Sequence, residues 1–126
     1  MERVTILALK EAVRVDADRL AGMYAQLGEC SAEDAVCRAM EDLAVRLASA
    51  ERLHRVGDWG GLAAAARGIL PIATEIGMPL LGQVTRDVCS CLESGDAVAL
   101  VATLARLLRV GERSLYAVWD LQDLSI

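Results

Sequence analysis

Three glycines punctuate this chain at positions where a helix must stop: Gly57, Gly77 and Gly95 each close a stretch of helical periodicity. A residue suited to start the next helix follows within two positions, namely Asp58, Pro79 and Asp96. Glycine takes up the left-handed conformation that ends a helix, an aspartate side chain accepts from the free N–H groups of a first turn, and proline is tolerated at the first helical position. Connections this short at Gly57 and Gly95 force neighbouring helices to run antiparallel.

The helices are read from apolar spacing. Before Gly57, Val36, Met40, Leu43, Leu47, Ala50 and His54 recur at steps of three and four, with Arg38, Asp42, Arg46, Ser49 and Arg52 on the wet side. Ser31 is expected to cap this helix, with Glu33 and Asp34 meeting its positive end. Between Asp58 and Gly77 lies an alanine-rich helix with one cation at its middle, Arg67, and a proline, Pro71, that should kink it. The next helix turns Leu81, Val84, Val88 and either Cys91 or Leu92 inward. The last has a stripe of Ala97, Leu100, Val101, Leu104, Leu107, Leu108, Gly111, Leu115 and Val118, with Arg106, Arg109, Glu112 and Arg113 facing away.

Upstream, 17–27 puts Leu20, Tyr24 and Leu27 on one side and stops at Gly28. From Arg3 to Val15 the spacing is near helical, but β-branched residues leave an extended arm open. The expected architecture is all-α: a single domain over 1–126, in which an antiparallel up-down four-helix bundle (31–57, 58–77, 78–94 and 96–120) carries an N-terminal helical segment, 1–28.

Composition narrows the partners. Apolar residues make up 55 % of the 126, yet aromatics only 3 % and Phe is absent, so Ala, Leu and Val must pack helices closely. Trp59 and Trp119 are then expected to be the main large core fillers, with anchors for a partner as the alternative. A mean hydropathy of +0.37 is high for a solvated monomer and predicts a homodimer that covers apolar helix surface. A net charge of −5 argues against nucleic acid, and no uncharged run approaches the ~18 residues of a spanning helix. The start, MERVTILALK, lacks the pattern of a secretory signal, so a cytoplasmic location is expected. Cys30, Cys37, Cys89 and Cys91 lack C-x-x-C spacing and only one histidine is available to join them, so they read as small core residues in a reducing compartment, with metal binding a remote alternative.

The segment around Arg67 resembles the second helix of histidine-containing phosphotransfer domains, four-helix modules that relay a phosphoryl group to and from response-regulator receivers. Leu62, Ala65 and Ala66 resemble the approach to that family's motif, and Gly77, Leu81, Val84, Val88, Gly95 and Asp96 the segment after it. Aligned on Gly77, the phosphoacceptor position is Arg67, and the family's Lys-Gly pair falls on Leu70 and Pro71. With Arg67-Gly68 as that pair, the acceptor position is Ala64. Neither register holds a histidine. Arginine and alanine have no lone pair to form a phosphoramidate, so no relay passes through this helix on either alignment.

The resemblance therefore implies a non-catalytic interaction module, without cofactor, whose partner is a response-regulator receiver. Arg67, with Ala64, Leu70 and Glu75 on the same helix, is the expected contact surface. The alternative for Arg67 is a solvated cation that keeps an alanine-rich helix soluble. His54 is the lone histidine; as a displaced phosphoacceptor it would make the protein an active phosphotransfer protein. As a packing residue it compensates the dipole at a helix C-terminus. A structural helical homodimer is the remaining alternative. The carboxylates offer no pair on an apolar face, and thus no general acid and base.

Overall fold

The structure, a computed structural model, describes residues 13–124, with side chains described to Leu121; the expectation placed on 3–12 lies outside them. The described residues are all-helical. Five helices follow one another: α1 (Ala17–Leu27), α2 (Glu29–Val56), α3 (Trp59–Ile76), α4 (Pro79–Ser94) and α5 (Ala97–Leu124). Residues 13–16 have no regular structure, so α1 starts as a separate piece.

The caps follow from local chemistry. Asp58 Oδ1 accepts from the Gly61 N–H at 2.9 Å and Asp96 Oδ1 from Ala99 at 3.0 Å. Pro79 opens α4, and Gly57, Gly77 and Gly95 end their helices in the left-handed conformation. Ser31 is not the cap of α2, contrary to the sequence expectation. Gly28 ends α1 by donating to the Tyr24 carbonyl at 3.0 Å, and its own carbonyl accepts from Ala32 at 3.0 Å. The chain thus re-enters a helix at Glu29, which leaves Ser31 exposed inside the first turn. At the far end α5 runs to Leu124, four residues past the expected end at position 120.

Each long helix packs on the next, α2 on α3, α3 on α4 and α4 on α5, and α5 returns to α2; α1 lies on α2 and touches α3. Leu43, Leu62, Ile69, Ile76, Leu81, Val84, Val88 and Leu107 are fully buried in the core these helices share. Side chains of this size leave helices close together. Gly111 is buried where α5 crosses α2, and a Cβ there would stand 2.5 Å from Leu47 Cδ1. α1 is fixed across the end of α3: Asp16 N–H donates to the Gly77 carbonyl at 2.7 Å, and Arg19 Nε to the Glu75 carbonyl at 3.1 Å. Those carbonyls sit at the negative end of α3, where a guanidinium is favoured.

Other expectations fail for packing reasons. Trp59 and Trp119 are 52 % and 56 % exposed, not core fillers: Trp59 occupies the first position of α3, and Trp119, nine residues from buried Val110, lies on the opposite side of α5. Cys30 and Cys37 are exposed, on the side of α2 away from Leu43, and Cys89 and Cys91 are half-buried. In α5, Val110 joins the buried face while Val101 is 56 % exposed, and Arg106, expected outside, is half-buried and 3.8 Å from Asp87 of α4.

Candidate functional site

α3 exposes one side along its length. Its apolar residues Leu62, Ala66, Ile69, Ala73 and Ile76 point into the core, which leaves Ala64, Arg67, Pro71, Thr74 and Glu75 in solvent and Ala63, Gly68 and Leu70 half-buried at the edges. At 100° per residue, Arg67, Ala64, Leu70 and Glu75 all lie on this one side, with Glu75 nearer its C-terminal end. Arg67 is exposed midway between the ends of the helix, with small side chains around it. Pro71 has no N–H to donate, so the Arg67 carbonyl lacks its usual helical partner and is left as an acceptor on the same surface.

Arg67 also borders a cleft of about 250 Å³ between α3 and α4, formed with Trp59, Gly60, Ala63, Cys89 and Glu93 among others. Burial pushes the Cys89 thiol above its ordinary value; the charge of Arg67 pulls it down and Glu93 pushes it up again. Burial wins, so Cys89 stays a protonated thiol near neutral pH and is not an activated nucleophile.

A second guanidinium reaches this surface from α2. Periodicity places Arg46 only on the wet side of its helix, yet it lies over Gly68 so closely that a Cβ there would collide with its guanidinium. Asp42, one turn back, holds Arg46 Nε at 3.0 Å and sets its direction. The sequence does carry a trace of this contact, because a glycine in mid-helix costs about 1 kcal/mol relative to alanine and marks a close approach. The surface therefore presents Arg46 and Arg67 beside small side chains. Two planar donors so placed suit carboxylates, and neither can accept a phosphoryl group.

His54 stands elsewhere. It is half-buried in the last turn of α2, its ring centroid 5.8 Å from that of Trp59 and tilted by 57°. The cleft beside it, about 360 Å³, is bounded by Cys91 and Leu92 of α4 and by Asp96 and Leu100 at the start of α5. Trp59 and Leu92 border both clefts. Among the described residues no three His, Cys, Asp or Glu side chains gather where they could hold a metal ion, and no helix is long and apolar enough to cross a membrane.

Comparison of the chain with protein-family models, with curated proteins and with solved structures finds no match in any of the three.

Proposed function

We propose that the chain is a non-catalytic interaction module of the phosphotransfer-domain type. In this reading α2–α5 form an antiparallel up-down four-helix bundle with α1 laid against it, the exposed side of α3 docks an acidic response-regulator receiver in two-component signalling, and the protein is a homodimer. The observation that carries the reading is Arg67, exposed at mid-helix among alanines and glycines, where a partner can approach the backbone closely. At the position where the resembling family holds its phosphoacceptor, the guanidinium pairs instead with the carboxylates of an unphosphorylated receiver. Arg46, laid over Gly68, adds a second donor to the same contact.

Titration of purified receivers tests this, with Arg67→Glu expected to weaken binding at least about tenfold through like-charge contact. Incubation with a phosphodonor kinase supplies the opposing result. Acid-labile label on the wild type that vanishes in His54→Ala would establish phosphotransfer and overturn the proposal. Failure to bind any receiver would leave the structural homodimer.

A further inference from the structure

The side of the molecule where α5 returns to α2 is open. A groove of about 460 Å³ lies between the two helices, lined by Cys37, Met40 and Ala44 from one and Leu115, Tyr116 and Trp119 from the other; its charged residues, Glu41 and Glu112, are both acidic. Tyr116 and Trp119, 57 % and 56 % exposed, stack edge to face at 6.4 Å. Residues 37–44 meet 112–119 at one end, while His54 meets Leu100 and Val101 at the other, so α2 and α5 run antiparallel. The close approach of Leu47 to Gly111 sets their relative height and places Ala48 level with Val110.

We infer that this side is the interface between two copies of the chain. A twofold axis crosses it at the height of Ala48 and Val110 and reverses the helix direction, so that α2 packs on α2 of the partner subunit and α5 on its α5. The inference rests on the proposed self-association and is independent of receiver binding.

Three relationships support this arrangement. Glu41 and Arg55, both exposed, lie seven residues either side of Ala48, so the axis brings Glu41 of each copy to Arg55 of the partner subunit. Trp119 and Val101, each 56 % exposed, lie nine residues either side of Val110, so each indole covers Val101 of the partner subunit. Arg109 Nε is shielded from solvent with no hydrogen-bond partner among the described residues, and the same axis brings Glu112 of the partner subunit within one turn of it.

Charge also selects the direction. A parallel pairing would hold Glu41 of both copies at one end, whereas the antiparallel pairing sets them fourteen residues apart, each beside an Arg55; Glu112, two residues from Val110, stays near the axis with Arg109 beside it. Glu51 shares the edge that carries Arg52 and Arg55, but that end of α2 keeps a net positive charge. Ala44 and Ala48, exposed and one turn apart, let the two α2 helices approach closely.

The area is sufficient. About Ala48 the two α2 helices overlap over 40–56, roughly 25 Å, and about Val110 the two α5 helices over 97–123, roughly 40 Å, each strip being roughly 10 Å wide. That gives about 650 Å² per subunit, within the range a standard stable interface buries.

Sedimentation over a wide concentration range, combined with cross-linking, tests the inference. Ala48→Cys, in a background of Cys30→Ser and Cys37→Ser, stands on the axis facing its own copy and should give a disulfide-linked dimer on mild oxidation. Gln83→Cys, exposed on α4, should not. Glu41→Arg and Arg55→Glu are each expected to weaken the dimer about tenfold, and the double variant to restore it. Both sites are exposed, so the fold survives either change. A dimer that Ala48→Cys does not trap and the charge swap does not rescue would overturn this interface while leaving self-association intact. A monomer at every concentration would overturn both.

Discussion

Arg46 of α2 lies across Gly68 of α3 with no room for a methyl group between them. What a Cβ would meet there is the far end of a flexible side chain, which can swing away, whereas the added methyl removes the entropic disadvantage of glycine in mid-helix. Gly68→Ala should therefore raise stability, by up to about 1 kcal/mol, while displacing Arg46 from the α3 surface. Urea denaturation read with receiver titration checks both parts. A loss of stability would mean that Arg46 is held rigidly against the helix.

The contact at Gly111 predicts the opposite sign. A Cβ there would stand 2.5 Å from Leu47 Cδ1 in a buried crossing, and neither helix can yield without disturbing the core. Gly111→Ala is expected to cost about 1–3 kcal/mol by overpacking. Leu47→Ala removes the clash, so the double variant should be more stable than the sum of the single losses. Strict additivity in urea melts would refute the contact.

Two glycines with similar dihedral angles separate conformational cost from crowding. Gly95 has φ +70 with open space around it, whereas Gly77 has φ +80 and a Cβ added to it would stand 2.7 Å from Asp16 Cβ. Gly95→Ala should cost about 1 kcal/mol, the left-handed penalty alone. Gly77→Ala should cost more, and only it should loosen α1, seen as faster amide exchange at Leu20 and Met23. Equal losses would show that α1 does not depend on the approach to Gly77.

The contrast among these positions indicates what a sequence discloses. Gly57, Asp58, Gly77, Pro79, Gly95 and Asp96 act through their own backbone and first-turn neighbours, so their roles are legible one residue at a time. Ser31 misleads because a stronger local event, Gly28 ending one helix and starting the next, leaves no free first turn for it to cap. Trp59 and Trp119 mislead because composition tells which residues are large but not where on a helix they stand. Arg67 follows from the stripe of α3, but Arg46 does not follow from that of α2. Periodicity says which side a residue is on, and only packing says which neighbouring helix that side reaches.

Cys89 makes the electrostatics of the α3–α4 cleft measurable. Its thiol pKa is raised chiefly by burial, against the pull of Arg67. A raised pKa means that the fold favours the neutral thiol; the associated stability is fully present below the unfolded-state value, about 8.5, and is lost as pH rises through the folded-state value. The melting temperature should therefore fall as pH rises above the unfolded-state value, and Cys89→Ala should flatten that part of the profile. Arg67→Ala removes the opposing charge, raises the thiol pKa further and slows alkylation of Cys89 by iodoacetamide at about pH 8 relative to exposed Cys37. Faster alkylation in Arg67→Ala would show that the guanidinium shields the thiol sterically instead of stabilising its anion.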